Sequence, residues 1–333
     1  IIMSILDIKK PVWFMRQAGR HLPEYRKIRS KKTDFLEFCF DKESIVEATL
    51  QPIERYKIDC AIIFCDILVI PYVLGQKISF VKGEGPLLKS LSLEELISLE
   101  PLSQKKKDLK NTYNAIKDIR KKLNKNKSLI GFCGGPWTVA CYMISGKGDS
   151  KFRVAIEKTR QEKAYLVKLL DKLVDLSVTH LYQQYKSGCD TLMIFESWAG
   201  LVSENEFNDI LTDPVNKIIK KLKLLGVSAP IIVLPRGINE KVIDYIDTVK
   251  MDILSVDYNI DMEWLIKNLR TDIILQGNLD PNKIARGGKE LVDSVNRLLL
   301  STKNRNHIYC SGHGLLPDTP VKNIERVIEI IKK

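Results

Sequence analysis

The feature of this sequence that most constrains its fold is a series of short apolar runs separated by longer helical patterns. Eight runs stand out: PVWFM (11–15), CAIIF (60–64), LIGFC (129–133), TLMIF (191–195), PIIVL (230–234), DILSV (252–256), DIILQ (272–276) and HIYC (307–310). Runs that are apolar almost throughout are typical of parallel strands buried on both faces, and their alternation with helices indicates βαβ units. The number of runs favours a closed (β/α)8 TIM-type barrel over an open sheet.

The segments between these runs support the same architecture. Apolar residues recur with helical spacing in 152–187 and 207–225. No Pro- or Ser-rich linker divides the chain, and no repeat of about 20 to 50 residues is visible. We therefore expect residues 1–333 to form a single, distorted barrel domain with an N-terminal substrate-binding arm. The residues leave open whether the first run belongs to the barrel or to that arm.

The chain is basic, with 53 Lys and Arg against 41 Asp and Glu and a formal net charge of +12. The excess is dense in 104–110 and 117–127, where a helical pattern places Leu109, Tyr113, Ile116 and Ile119 on one apolar side. The lysines are therefore predicted to form a solvated helix face, and no nucleic-acid partner is expected. The net charge still attracts polyanions, including small polycarboxylates.

Cysteine usage and hydropathy predict a cytoplasmic protein with no membrane partner. The seven cysteines are odd in number, scattered and without a CxxC pair, so we expect reduced thiols and neither a disulfide framework nor a zinc ribbon. No apolar stretch reaches the roughly 18 to 20 residues of a membrane span, and the first residues do not read as a signal peptide.

A barrel places its functional residues at the carboxyl ends of the strands, and polar residues concentrate there in this sequence. They are Arg16, Gln17, Gly19 and Arg20; Asp66; Gly134, Gly135, Pro136 and Trp137; Glu196, Ser197 and Trp198; Pro235, Arg236 and Gly237; Asp257; Gly277, Asn278 and Asp280; and Gly312, His313 and Gly314. This concentration predicts an enzyme without naming the reaction.

Two of these groups indicate a kind of chemistry. In MRQAGR, Arg16 and Arg20 flank the small Ala18-Gly19, an arrangement suited to clamp a carboxylate or phosphate, and Arg29 extends the positive charge. Asp66 interrupts the apolar run IIFCDILVI. A carboxylate in such a run is either paired or capping a helix, or awaits a ligand that donates hydrogen bonds.

Motifs for cofactors and nucleophilic catalysis are missing from the sequence. There is no GxxxxGK[ST], no GxGxxG and no GxSxG elbow, and the four histidines (21, 180, 307 and 313) lack HExxH spacing. The sequence therefore predicts an enzyme with no metal and no organic cofactor.

Six segments in order resemble the motifs of the uroporphyrinogen decarboxylase family. They are PVWFMRQAGRHLPEYR, AIIFCDILVIP, GFCGGPWTVACYMISG, FESWAG, LQGNLDP and SGHGLLPDTP, and they run from residue 11 to about residue 320. The resemblance implies a distorted (β/α)8 barrel, usually a homodimer. It also implies removal of the four acetate carboxyls of uroporphyrinogen III as CO2, giving coproporphyrinogen III in porphyrin and haem biosynthesis, without metal or prosthetic group.

The same resemblance assigns roles to individual residues. It implies substrate contacts from Arg16, Gln17, Ala18, Gly19, Arg20, Arg29, Asp66, Tyr142, Ser197 and His313. Asp66 is expected below the centre of the tetrapyrrole, and catalytic roles fall to Asp66, Arg16 and Tyr142. His21 stands where the family usually has tyrosine, and Cys310-Ser311 precede Gly312 in place of the more familiar Asn-Leu.

Two other functions remain open on the sequence. The first is a zinc- or corrinoid-linked methyltransferase, which shares this barrel but needs thiolate and imidazole ligands where the sequence offers Arg236. The second is a non-enzymatic polyanion-binding protein, suggested by the net charge. That function does not explain an aspartate among apolar residues at a strand end.

Overall fold

The main sheet of the computed structural model is parallel throughout, and the model describes residues 3–81, 85–148, 151–270 and 272–333. Each strand of this sheet pairs with the next one along the chain: β1 (Cys60–Ile62), β4 (Ser128–Gly134), β5 (Thr191–Glu196), β6 (Ile231–Pro235), β7 (Ile253–Ser255), β8 (Ile274–Leu279) and β9 (His307–Ser311). A separate antiparallel hairpin contains β2 (Ile78–Val81) and β3 (Gly85–Leu88). Seven of the eight predicted runs are therefore strands of one α/β sheet.

The remaining run, PVWFM (11–15), closes the ring. The Trp13 N–H donates to the Tyr309 carbonyl (3.1 Å), the Tyr309 N–H donates to the Pro11 carbonyl (2.8 Å), and the Asp59 N–H donates to the Val12 carbonyl (3.0 Å). Residues 11–13, here called the closing segment, therefore lie between β9 and the start of β1. The predicted barrel is confirmed. The first run, which the sequence left between barrel and arm, belongs to the ring.

Helices cover the outside of the ring, as βαβ units require. They are α1 (Pro23–Arg29), α2 (Phe35–Phe40), α3 (Lys42–Tyr56), α4 (Val69–Val73), α5 (Leu93–Ser98), α6 (Ser103–Lys122), α7 (Pro136–Ser145), α8 (Arg153–Gln161), α9 (Lys163–Ser187), α10 (Asp213–Leu224), α11 (Val242–Thr248), α12 (Met262–Asn268), α13 (Pro281–Arg286), α14 (Gly288–Ser301) and α15 (Val321–Lys332). Among the described residues, no helix combines the length and the apolar character that crossing a membrane requires.

The predicted helical segments differ from the observed ones in detail. Segment 152–187 is broken at Glu162, which separates α8 from α9. Segment 207–225 opens with a π-helical turn, Phe207–Thr212, before α10 begins. The lysine-rich helix α6 is as predicted, because Ile116 and Ile119 are buried while most of its lysines are exposed.

The barrel interior contains a short chain of polar contacts within its apolar packing. The buried Trp13 indole N–H donates to Gln276 Oε1 (3.0 Å), and Gln276 Nε2 donates to Ser255 Oγ (3.0 Å). These contacts tie the closing segment to β8 and β7 across the interior, and they satisfy polar groups that would be costly to bury alone. All seven cysteines are free, as predicted, and all except the half-buried Cys65 are buried.

Candidate active site

The predicted site residues follow the carboxyl ends of the strands, and several of them lie within electrostatic range of one another. Burial raises the pKa of Asp66 and of Tyr142, and the charge of Arg16 opposes both rises. Burial also lowers the pKa of His313, and the charges of Arg236 and Arg16 add to that effect. The Arg16 side chain also passes over Gly314, where an added Cβ would lie 2.4 Å from Arg16 Cδ. Glycine at 314 therefore leaves the room that the arginine occupies.

Gln17 holds the turn of residues 16–20, here called the arginine turn, which carries Arg16 and Arg20. Its Oε1 accepts from the Phe14 N–H (3.0 Å), and its Nε2 donates to the Cys60 carbonyl (3.0 Å). The side chain is buried, so its amide is engaged by the closing segment and by β1. These contacts let Gln17 position the turn, and its predicted contribution to substrate binding stays a prediction.

The rest of this turn has unused hydrogen-bond donors. Arg16 and Arg20 are exposed, and neither forms an ion pair within the described residues. The backbone N–H groups of Ala18, Gly19 and Arg20 likewise have no acceptor in the described part of the chain. Arg16 adopts a left-handed backbone conformation (φ 59°), which non-glycine residues rarely adopt. A turn with free N–H groups and two guanidinium groups can bind carboxylates.

Arg29 is in a different situation from the other two arginines. It donates a hydrogen bond to the Lys32 carbonyl, and its guanidinium carbon lies 5.7 Å from the ring centroids of both Phe35 and Phe38. Its charge is therefore already engaged locally, although the predicted contribution of Arg29 to substrate binding stays a prediction.

Asp66 lies in the loop after β1 and is half-buried. Its Oδ1 accepts from the Leu68 N–H (2.8 Å), which makes an Asx-type turn leading into α4. No cation forms an ion pair with Asp66 within the described ranges, so a salt bridge does not explain this aspartate there. Burial raises the pKa of this carboxyl, and the Leu68 N–H and Arg16 oppose that rise. The carboxylate retains capacity to accept hydrogen bonds from a ligand.

Glu196, at the end of β5, is among the strand-end residues noted in the sequence, but no role was assigned to it there. Its carboxylate is fully buried and accepts from the Trp137 N–H (3.0 Å), the Thr138 N–H (3.0 Å) and the Thr138 hydroxyl (2.7 Å). These donors form the first turn of α7, and an added Cβ at Gly135 would lie 2.1 Å from Glu196 Cδ. Burial raises the pKa of Glu196 to about 7 in spite of these donors. Its position in FESWAG, next to Ser197, was the signal in the sequence.

Tyr142 is carried by the helix that Glu196 caps. Its ring packs edge-on against Phe152 (5.1 Å between centroids), and Phe152 packs in the same way against Trp198 (4.9 Å). Burial raises the pKa of the Tyr142 hydroxyl, with Trp198 and Arg16 acting in the opposite direction. The phenol therefore remains protonated near neutral pH and can donate a hydrogen bond.

His313 and Ser197 complete the predicted set. His313 Nδ1 accepts from the Gly314 N–H (2.7 Å), which leaves the proton of the neutral ring on Nε2. Burial, followed by the charges of Arg236 and Arg16, lowers the pKa of His313 to about 3. Ser197 is half-buried, and its hydroxyl has no hydrogen-bond partner among the residues described. Both side chains can therefore offer a neutral polar group to a ligand.

The described residues contain no group of three or more His, Cys, Asp or Glu side chains that could hold a metal ion. The polar groups at this end of the barrel are instead two exposed arginines, an unpaired aspartate, a neutral histidine, a phenol and free backbone N–H groups. This set suits a ligand that carries several carboxylates and also has hydrogen-bond donors of its own.

Comparisons with known sequences agree with that chemistry. A family model described as Uroporphyrinogen decarboxylase (URO-D) matches residues 8–333. A uroporphyrinogen decarboxylase from Rickettsia bellii is 40% identical over 329 residues, which cover 98% of this chain and 96% of the relative. Another from Rickettsia canadensis is 41% identical over 325 residues, which cover 97% of this chain and 95% of the relative.

Comparison with solved structures bears on the fold alone. A methyltransferase from Methanosarcina mazei superimposes with a TM-score of 0.79 at 17% identity, covering 97% of this chain and 94% of the other. A B12-independent methionine synthase from Shewanella gives a TM-score of 0.54 at 14% identity, with 87% and 85% coverage. At these identities the likeness supports the barrel and carries no statement about the reaction.

Proposed function

The chain belongs to the uroporphyrinogen decarboxylase family and is a decarboxylase of porphyrin biosynthesis, and from this premise we propose how its residues act. The substrate is uroporphyrinogen III, and the four acetate side chains lose CO2 to give coproporphyrinogen III. The observation that carries the proposal is that, among the described residues, Asp66 and the nearby Arg16 both lack an ion-pair partner at the carboxyl ends of the strands.

Decarboxylation leaves an electron pair on the acetate methylene, and a group must accept it. We propose that the substrate is its own electron acceptor, without an added cofactor. Protonation of a pyrrole carbon makes the ring cationic, and the carbon–carbon bond to the carboxylate then breaks as its electrons enter the ring. The methylene takes up a proton and the ring carbon loses one, so each acetate consumes one proton and releases one CO2.

Asp66 is suited to stabilise that cation. The inward pyrrole N–H groups are the donors that its half-buried carboxylate lacks, because the Leu68 N–H is its only hydrogen-bond donor among the described residues. A fixed negative charge in a site that excludes water stabilises a developing positive charge more strongly than solvent does. Removing one such electrostatic group typically costs about 10² to 10³ in rate.

The turn after the closing segment is suited to hold the carboxylates. Arg16 and Arg20 offer forked guanidinium groups, and the N–H groups of Ala18 and Gly19 have no acceptor among the described residues. Arg16 is also the arginine close to Asp66 and Tyr142, so we assign it the acetate that reacts. We assign Arg16 an orienting role and leave the proton donor unassigned.

The neutral groups are suited to orient the substrate. His313 is uncharged above about pH 3 and presents an Nε2–H, while Tyr142 presents a phenolic O–H. We propose that both donate hydrogen bonds to substrate carboxylates, and that Ser197 does so from the next strand end. Gln17 contributes to substrate binding by positioning the arginine turn through its hydrogen bonds to Phe14 and Cys60.

We further propose that the chain forms a single barrel domain, that it acts as a homodimer and that it resides in the cytoplasm. The single apolar core cluster supports the first statement. The homodimer is inferred from the family resemblance. The cytoplasmic location is inferred from that resemblance together with the free cysteines. Light scattering at micromolar concentration tests the dimer: a species of 38.1 kDa alone would contradict it.

The function is tested by anaerobic incubation of the purified protein with uroporphyrinogen III, following CO2 release and the carboxylate count of the product by chromatography. We expect four CO2 per substrate and coproporphyrinogen as the end product, unchanged after dialysis against a chelator. Activity that disappears on chelation and returns with zinc would contradict the cofactor-free mechanism. Binding without CO2 release would favour the polyanion-binding alternative.

A further inference from the structure

Arg236 is the first residue after β6, and its backbone is fixed by hydrogen bonds to neighbouring strand ends. The Arg236 N–H donates to the Glu196 carbonyl (3.0 Å), and the Arg236 carbonyl accepts from the Gly200 N–H (3.0 Å). The next residue, Gly237, donates its N–H to Oδ2 of the buried Asp257 (2.9 Å). The position of the arginine is therefore set by β5 and β7 as well as by its own strand.

The guanidinium of Arg236 has no such partners. No carboxylate forms an ion pair with it in the described ranges, and its Nε is buried without a hydrogen-bond acceptor. Its Cζ lies 5.8 Å from the ring centroid of Trp198, so the ring flanks the cation without neutralising it. A half-buried cation with an unsatisfied donor is costly, and an anionic ligand would remove that cost.

The location of Arg236 in the ring is opposite that of the arginine turn. Counting from the closing segment through β1, β4, β5 and β6, the strand before Arg236 is four positions away from the segment before Arg16. Eight positions complete the ring, so the two arginines enter the mouth of the barrel from opposite sides. His313 lies within electrostatic range of both. The space between the arginines is therefore the space that the candidate site occupies.

We propose that Arg236 is a further substrate-binding residue, which holds a carboxylate on the side of the macrocycle opposite Arg16 and Arg20. This inference rests on the proposed function, because uroporphyrinogen carries eight carboxylates around its rim and needs cations on more than one side. The planar guanidinium can hold a carboxylate bidentately, and Trp198 keeps it from swinging away. A lysine or glutamine of similar reach would lack that fork.

The test compares Arg236→Ala with Arg297→Ala, which removes the same charge from an exposed position on α14. Uroporphyrinogen III is added anaerobically, its affinity is measured by quenching of tryptophan fluorescence, and CO2 release is followed in parallel. We expect Arg236→Ala to weaken binding about ten- to a hundredfold, as for loss of a charge-assisted hydrogen bond. We expect the Arg297→Ala protein to bind within about twofold of the unchanged protein.

Two further variants at position 236 separate the loss of the positive charge from the loss of the side chain. Arg236→Lys retains the charge and should recover part of the affinity, whereas Arg236→Gln should resemble Arg236→Ala and serves in its place if that variant does not fold. Because Arg16 and Arg236 are proposed to hold separate carboxylates, the fold-losses of Arg16→Ala and Arg236→Ala should multiply in the double variant.

The proposal is overturned if Arg236→Ala binds uroporphyrinogen as tightly as Arg297→Ala does, or if the unchanged protein does not bind it. Failure of the proposed function has a different signature. If the unchanged protein binds the tetrapyrrole in an Arg236-dependent manner but releases no CO2, the carboxylate site stands and the decarboxylation is wrong.

Discussion

The two ends of the barrel use charged residues in opposite ways. At the amino-terminal end, three aspartates stand just before β1, β5 and β7, and each accepts the backbone N–H at the start of the neighbouring strand or segment. The pairs are Asp59 with Val12 (2.8 Å), Asp190 with Leu129 (2.9 Å) and Asp252 with Ile231 (2.8 Å). Each aspartate also has a cationic partner, namely Lys332 (2.6 Å), Arg120 (2.9 Å) and Lys223 (3.1 Å).

At the carboxyl end the charges lack such partners within the described residues. Arg16, Arg20, Asp66 and Arg236 form no ion pair there, although all of them follow the strands of the same ring. The difference indicates that one end is built to hold the strands together and the other to hold a ligand, which is the usual division in barrels of this type. Substitutions at the two ends should therefore separate loss of stability from loss of activity.

The largest effect is expected at the amino-terminal end. Asp190→Ala leaves the Arg120 side chain, only 11% exposed, without its carboxylate partner, and it also frees the Leu129 N–H. Loss of one member of such a buried pair costs about 3 to 5 kcal/mol in the free energy of unfolding. Urea unfolding measures this cost, and kcat per folded molecule should not change. Asp175→Ala, which breaks an exposed pair with Lys221, is the control and should cost about 1 kcal/mol or less.

Asp66→Asn should show the reverse pattern at the carboxyl end. The amide can still accept from the Leu68 N–H, so the melting temperature should change little, while loss of the charge should lower kcat by about 10² to 10³. Asp66→Glu keeps the charge and should retain more activity than Asp66→Asn. Steady-state kinetics and thermal melts on both variants check this. A stable Asp66→Asn enzyme with nearly normal kcat would contradict the role proposed for the aspartate.

The arginine turn should give a smaller effect, on binding. Arg16→Ala and Arg20→Ala each leave a substrate carboxylate unpaired, which costs about 1.5 to 3 kcal/mol, or roughly ten- to a hundredfold in kcat/KM. Arg29→Ala should be milder in kcat/KM, because its guanidinium is engaged by Phe35 and Phe38. If Arg29→Ala lost as much kcat/KM as Arg20→Ala at unchanged stability, the prediction that Arg29 contributes less to substrate binding than Arg20 would be wrong.

Glu196 is an exception at the carboxyl end, because its carboxylate accepts hydrogen bonds from Trp137 and Thr138. Its pKa is raised from 4.5 to about 7 by burial, so the folded protein binds a proton that the unfolded chain releases between these values. The associated stability is present below about pH 4.5 and is lost as the pH rises through about 7. The slope is at most about 1.4 kcal/mol per pH unit.

Glu196→Gln cannot ionise, so the stability of the unchanged protein relative to this variant should fall between pH 5 and pH 8. Urea unfolding at several pH values measures the trend, with Glu204→Gln, at an exposed glutamate, as the matched control. Parallel pH profiles for the unchanged protein and Glu196→Gln would mean that this carboxyl does not titrate in that range.

Much of the site could be predicted from the sequence because its signals are local. An aspartate inside an apolar run and two arginines around Ala-Gly are visible without a fold, and the barrel rule then assigns them to one edge. The partners of Gln17 and Glu196 could not be predicted in this way. Gln17 bonds Cys60, and Glu196 bonds Trp137 and Thr138, through contacts that join residues 43 or more positions apart.

The apolar runs were sufficient to identify the strands, because burial on both faces requires apolar side chains throughout each run. The sequence also indicates that charged residues cluster at strand ends, whereas the place of the closing segment in the ring became clear only from its hydrogen bonds to Tyr309 and Asp59. Tertiary structure alone decided which of those charges are neutralised. Asp190 and Asp66 are the same residue type beside apolar strands, yet Arg120 reaches one and no cation pairs with the other in the described residues. Pairing depends on the distance between side chains from different elements, and only the closed ring sets that distance.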